Sequence, residues 1–340
     1  MTQQTPPSGR PLDVLGTLDG YRERFFDAAF WTPYVRWVVS TRFGAEDVAV
    51  RAGLAGTYPT FIVDDRWVVK FFGDLFDGPA THAAELTVAL LRPERLGIPA
   101  PQMLAHGDLY DARDQWRWPY MVFEFMQGVS IGEAYDDLAR ADKVDVARDV
   151  AEMTRALHAQ PIPADGVFSP TWQAYRELLD RQRSHCVESH QEWCDLPDHL
   201  IDQIDGYLAP TADLIDATRP PHVIHADITA DHILGVQEAD GWRTTALIDF
   251  GDAMVGDHLY ELVALHLDVF QADRTLLAEY LDAYGVSEEF RAGLPHRALT
   301  TALLHRFDVV SSLAGREGDP LLAMTLDDLA DSVWRIDVPE

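Results

Sequence analysis

Apolar and polar positions alternate on two different periods in the two parts of this chain. From Val48 to Phe125 the apolar residues come in short runs broken by turn residues, the pattern of strands. Val48 to Phe72 predicts three of them, with Phe61-Ile62-Val63 and Trp67-Val68-Val69-Lys70-Phe71-Phe72 flanking a hairpin turn at Asp64-Asp65-Arg66. Met103-Leu104-Ala105-His106 starts a further strand, and Trp118 to Phe125, WPYMVFEF, is a strongly apolar one that runs into Met126-Gln127-Gly128. Two stretches outside these strands repeat at helical spacing. Asp19 to Phe43 carries Phe25, Phe26, Phe30, Tyr34, Trp37 and Val38, predicting one or two helices with Pro33 as a break or a start. Residues 79–96 predict another, ended by Gly97-Ile98-Pro99-Ala100-Pro101.

From Ile131 the pattern turns helical. Lys143 to His158 is amphipathic, with Val144, Val146, Ala147, Val150, Met153 and Leu157 on its apolar side. Beyond Asp257 the chain reads as helical to Trp334. The chain is organised around one stretch, HVIHADITADHILGVQEADGWRTTALIDFGDAMVGDHLYEL, from His222 to Leu262, whose end Tyr260-Glu261-Leu262 opens the first of those last helices. Its runs His232–Val236 and Thr244–Ile248 read as two strands joined around Asp240-Gly241, a strong hairpin signal. No repeat, low-complexity tract or long linker interrupts the chain.

Composition narrows the picture. At 340 residues and 47% hydrophobic content the chain can bury a sizeable core. No apolar run reaches membrane-spanning length, and the start, MTQQTPPSGRPLD, lacks the build of a signal peptide, so a cytoplasmic protein without a membrane partner is expected. Residues 1 to about 12 are polar and proline-rich and are expected to lack order. His185, Cys186, His190 and Cys194 cluster, but their spacing fits no standard zinc site and reads instead as a helical surface. The 27 basic residues against 56 acidic ones leave a formal net charge of −29. Such a field repels nucleic acid and draws cationic ligands. The acids Glu177, Asp180, Glu188, Glu192, Asp195 and Asp198 add to it, either as a ground for a polar, cationic acceptor or as a solvated face.

The candidate chemistry sits in the stretch from His222 to Leu262. Asp227 follows Val223-Ile224, Asp249 closes the run ending at Ile248, and the hairpin between them brings residue 232 close to Asp249. Three polar groups so placed suit phosphoryl transfer, in which one carboxylate accepts a hydroxyl proton and a second holds Mg2+ against nucleotide phosphates. His225 is read as holding the loop through hydrogen bonds.

The order H-x-D-x-x-x-x-H followed by I-D-F-G-D-A resembles the catalytic and metal-binding segments of the aminoglycoside phosphotransferase family of antibiotic kinases. The resemblance covers roughly residues 48 to 265. It implies an α+β, protein-kinase-like two-lobed fold, with a mostly antiparallel sheet lobe in residues 1–127 and a mainly helical lobe in residues 128–340. It implies Asp227 as catalytic base and Asp249 as main metal ligand. The family residue five after the base is usually Asn; here it is His232, as in macrolide phosphotransferases, and His232 is expected to serve the metal with Asp249. Lys70, the one charge in the run Trp67–Gly73, is either an edge-strand gatekeeper or a phosphate-binding lysine. The match to the third kinase strand favours the second role, with Glu85 as its partner or as a solvated helix-face residue. The turn Gly53–Pro59, with Gly56 and Thr57, would lie over the phosphates, and Glu124 and Met126 would bind the purine through the hinge backbone. The expected cofactors are ATP or GTP with Mg2+. The expected reaction is phosphorylation of a hydroxyl on a small molecule, most plausibly an antibiotic. A metabolic kinase of a sugar, choline or amino-alcohol would carry the same motifs. A nucleotide-binding module without catalysis would have no need for Asp227, Asp249 and Lys70 together.

Overall fold

A computed structural model describes residues 7, 10–54, 56–111, 116–162, 167–313 and 324–336. The chain divides into two compact units, one formed by residues 1–95 and 100–126 and the other by residues 96–99 and 127–340. The short segment 96–99 joins the second unit because the Leu247 N–H donates to the Pro99 carbonyl at 2.7 Å.

The first unit is built on a five-stranded antiparallel sheet. Its strands are β1 (Val50–Ala52), β2 (Thr60–Val63), β3 (Trp67–Phe71), β4 (Met103–Asp108) and β5 (Pro119–Glu124), in the order β1-β2-β3-β5-β4. The β2–β3 hairpin closes through Asp64 and Asp65 at φ 52° and 48°, the two left-handed residues that a tight hairpin turn requires. Trp31, on the helix Ala28–Phe43, is fully buried and stacks on Phe71 of β3 at 4.8 Å between ring centroids. Two helices, Leu18–Arg24 and Ala28–Phe43, occupy the aromatic stretch, and the break falls at Asp27, whose carboxylate caps the second. Pro33 therefore breaks nothing: it lies inside that second helix. Residues 10–12 likewise depart from expectation, opening a 3-10 helix, Arg10–Gly16, with Leu12 buried. The rest of the stretch expected to lack order, residues 1–6 and 8–9, lies outside the described residues. The helix predicted over 79–96 runs from Gly78 to Leu91 and stops before Pro93.

In the second unit β6 (Val129–Ser130), β8 (Ile233–Glu238) and β9 (Gly241–Leu247) form a three-stranded sheet, while β7 (His222–Ile224) pairs with β10 (Met254–Gly256). The β8–β9 register sets Ile233 opposite Leu247, and the Ile248 N–H donates to the His232 carbonyl at 2.9 Å. Helices surround these strands. Two matter most for the site: Arg140–His158, and His258–Asp268, of which every residue from His258 to Leu267 is buried.

Candidate active site

In the first unit the sequence-predicted pair is present. Lys70 Nζ, on β3, lies 2.8 Å from Glu85 Oε2 on the helix Gly78–Leu91, and both side chains are about 5% exposed. A buried charge left unpaired costs several kcal/mol, so each residue requires the other. The ammonium also lies 5.4 Å from the Phe72 ring centroid. The Gly53–Pro59 turn is closed by the Gly53 N–H donating to the Thr60 carbonyl at 2.8 Å. Thr57 offers its carbonyl to the Tyr21 hydroxyl at 2.5 Å, so Tyr21, from outside the strands, pins the turn. A Cβ on Gly56 would meet no atom within 4 Å, which leaves that backbone open to approach. Glu124 is engaged at both its N–H and its side chain. Its N–H donates to the Gln102 carbonyl at 3.0 Å, and its carboxylate accepts the Gln102 N–H at 2.9 Å. Only its carbonyl could then serve a purine. Met126 is the last residue of this unit.

In the second unit the loop carrying Asp227 is held from beneath. Glu261 is fully buried; its Oε2 accepts the N–H groups of His225 and Ala226 at 2.5 and 3.2 Å, and its Oε1 accepts His158 Nε2–H at 2.9 Å. Burial by itself would push the Glu261 carboxyl up. His158 and the loop amides outweigh burial and hold it below the usual value. His158 in turn meets the Tyr284 hydroxyl through Nδ1 at 2.8 Å. His225 is buried and bonds the Ile248 carbonyl through Nε2 at 2.9 Å, tying the loop to the residue before Asp249. With these ties in place, Ala226 at φ 65° and Asp249 at φ 62° adopt a left-handed backbone that costs side-chain-bearing residues energy. Strain of this kind persists only where the surroundings enforce it.

The electrostatics follow from this placement. Burial, with lesser contributions from the negative charges of Asp252 and Asp249, raises the Asp227 carboxyl to about 6, against the pull of His232 and Arg306. A carboxylate titrating there is mostly ionised at neutral pH yet basic enough to accept a proton. Among the described residues no three His, Cys, Asp or Glu side chains gather into a metal cage. Mg2+ is commonly held by one or two carboxylates, water and substrate phosphates, and the like-charge neighbours of Asp227 are of a kind such a cation could complement. Asp249 opens the 3-10 turn Phe250–Asp252, and its Oδ1 accepts the Gly251 N–H at 3.4 Å. His232 fits less simply. Its Nδ1 lies 2.6 Å from the Asp227 carbonyl and 3.1 Å from Thr229 Oγ1, so a metal could be reached only from Nε2.

The four residues considered for zinc scatter. Cys186 and His190 are buried and both bond the Leu303 carbonyl, while His185 and Cys194 face solvent. The helical-surface reading holds for only two of them. Asp195 is buried against His190 at 2.7 Å, and the other five acids of that segment are exposed.

Sequence reasoning passed over Glu261, Arg306 and Tyr21. Glu261 carried a signal: it is the one acid in the apolar run Leu259–Leu265, as Lys70 is the one charge in its strand. Arg306 carried none, being 54 residues from the Asp252 it bonds.

The fold is that of a kinase-like phosphotransferase. The chain is similar to a GDP complex of wild-type aminoglycoside 2'-phosphotransferase-IIIa, with a TM-score of 0.64 at 22% identity, covering 84% of this chain and 91% of that one. It belongs to the phosphotransferase enzyme family, whose model matches residues 51–299. Among curated proteins it is 24% identical over 177 residues to hygromycin-B 4-O-kinase of Escherichia coli, covering 48% of this chain and 46% of that protein. It is 25% identical over 224 residues to lysine-specific demethylase JMJ21 of Arabidopsis thaliana, covering 56% of this chain and 23% of that protein. The chain thus spans less than half the length of either curated relative.

Proposed function

We propose that this protein transfers the terminal phosphate of ATP or GTP to a hydroxyl of a small molecule, with an antibiotic of aminoglycoside, macrolide or nucleoside type as acceptor and resistance as the outcome. The observation that carries the reading is Asp227, raised to about 6 in a strained loop beside Asp249. Asp227 takes the proton of the acceptor hydroxyl as that oxygen attacks. Its loop cannot swing away, because Glu261 holds the amides on its N-terminal side. Lys70, fixed by Glu85, steadies the nucleotide phosphates, and the open backbone at Gly56 and Thr57 lies against them. The Glu124 carbonyl and the Met126 backbone bind the purine. Asp249 holds the divalent cation, which when bound neutralises phosphate charge. The 22% identical structure was solved with GDP, which supports a nucleotide but does not choose between guanine and adenine. The relative named as a hygromycin-B kinase supports the acceptor class.

The test is nucleotide consumption across aminoglycosides, macrolides, nucleoside antibiotics and simple sugars or amino-alcohols, with Asp227→Asn as the blank. Turnover with one antibiotic class and not with sugars or choline supports the reading. Turnover confined to sugars or amino-alcohols moves the protein to metabolism. No turnover above the blank with any acceptor overturns it.

A further inference from the structure

The metal-side loop carries two acids where the proposed chemistry uses one. Asp249 and Asp252 lie three residues apart around the 3-10 turn Phe250–Asp252, and both bear on the charge of Asp227. Asp252 is not left to itself. Arg306, just past the helix Leu294–Leu303, donates from one guanidinium nitrogen to Asp252 Oδ1 at 2.8 Å and to the Asp252 carbonyl at 2.9 Å. The arginine is itself held in place. Its backbone N–H donates to the buried Tyr260 hydroxyl at 3.0 Å, and its guanidinium lies 4.8 Å from the Phe307 ring centroid. Tyr260 neighbours Glu261, so one buried helix turn supports both the Asp227 loop and the residue that holds Asp252.

We infer that Arg306 is a positioning residue that holds Asp252 back from the metal and acceptor chemistry for which Asp249 is proposed. The inference deepens the phosphotransferase reading and rests on it. The charge of Arg306 offsets that of Asp252. Without the arginine the loop carries one more uncompensated negative charge, and Asp252 becomes a competing ligand three residues from the intended one. Its carbonyl also loses the bond that fixes the turn. A salt bridge on a surface contributes little to stability. Here the pair is part-buried, contacts both backbone and side chain, and stands beside the catalytic base, so its effect falls on function.

The experiment compares wild type, Arg306→Gln, Arg306→Lys and the double variant Arg306→Gln/Asp252→Asn. The first readout is Mn2+ affinity measured by electron paramagnetic resonance without nucleotide or acceptor. Arg306→Gln is expected to bind Mn2+ more tightly, on the order of 5-fold for one unscreened charge at this range. The double variant, with no net change in charge from wild type, is expected within about 2-fold of wild type, and Arg306→Lys between the two. The second readout is turnover: kcat of Arg306→Gln falls about 10-fold while the nucleotide KM stays within about 2-fold, and the double variant recovers most of the kcat. Unchanged Mn2+ affinity in both Arg306→Gln and Arg306→Lys overturns the inference, as does a double variant no better than Arg306→Gln. If wild type transfers phosphate to nothing, the function fails, and the Mn2+ series still decides the role of Arg306.

Discussion

Lys70 and Glu261 are the same kind of residue put to different uses. Each is one charge in an apolar run, and each is buried in its own unit. Lys70 meets an opposite charge from another element, and the pair fixes the position of a side chain. Glu261 turns one oxygen to His158 and the other to two backbone amides, so it fixes the course of the chain. The difference teaches how a functional group can be positioned. A phosphate-binding ammonium needs only to be held at its tip. A base on a loop, the role proposed for Asp227, needs its backbone held, because a left-handed residue such as Ala226 would otherwise relax and take Asp227 with it.

The sharpest way to break this comparison is at the group being positioned. Asp227→Asn is expected to lower kcat by ~100- to 10,000-fold, the usual contribution of a general base, with nucleotide affinity retained. It is also expected to stabilise the fold. Folding disfavours the ionised form of Asp227, so the cost sets in as pH climbs from the ordinary value of 3.8 through about 6 and is present in full at neutral pH. Removing the charge relieves it and should raise the melting temperature by ~2–4 °C, the shift that ~1 kcal/mol produces in a domain of moderate size. In wild type the same titration predicts that kcat/KM falls as pH drops through about 6. An Asn variant that is both inactive and less stable would remove the strained, costly base from the account.

The second break separates side-chain from backbone positioning. Lys70→Met takes the ammonium away from the buried Glu85 carboxylate, and ~3–5 kcal/mol should be lost in urea unfolding. Lys70→Met with Glu85→Leu should recover that stability and still fail to bind nucleotide well, because the phosphate ligand is gone. Glu261→Gln should act differently. Its oxygen can still accept the loop amides, so the stability loss is smaller, ~1–3 kcal/mol. Its neutral amide holds the loop less firmly, so kcat should drop with nucleotide KM unchanged. A Glu261→Gln enzyme impaired in nucleotide KM and not in kcat would contradict the loop-holding role.

The same contrast explains what the sequence reveals. The strands of the first unit, the β8–β9 hairpin and the Lys70–Glu85 pair are legible because their signals are local. Alternation marks a strand, Asp-Gly a turn, and a lysine among apolar residues a charge that needs a partner. Asp227 and Asp249 are legible because they sit in short motifs of fixed order. The supports are not. Glu261 lies 34 residues beyond Asp227 and Arg306 lies 54 beyond Asp252, on helices whose packing no local pattern specifies. The tie at Glu124 is hidden for a related reason: its N–H donates to Gln102, a partner that alternation within one strand cannot name. Pro33 misleads because a cap at Asp27, and not the proline, sets where the helix begins.

The smallest expected effect belongs to His232, where two roles compete for one ring. As a metal ligand it would be a soft nitrogen donor, better suited to Mn2+ than to Mg2+, which prefers oxygen. As a loop tie it bonds the Asp227 carbonyl through Nδ1, at 2.6 Å, and so belongs with Glu261 among the groups that fix the backbone around the base. The observed bond favours the tie, which lets the roles be told apart by two substitutions. His232→Asn keeps a side-chain N–H able to reach the same carbonyl, and its kcat should stay within ~3-fold of wild type with Mg2+. His232→Ala removes the bond and should cost ~0.5–1.5 kcal/mol of stability and a further, similar loss in kcat. Mg2+ and Mn2+ should support wild type and His232→Asn in the same ratio. A wild type that prefers Mn2+, joined to an Asn variant that has lost that preference, would make the imidazole a ligand. The comparison would then change sides at this residue, from holding the chain to holding the metal.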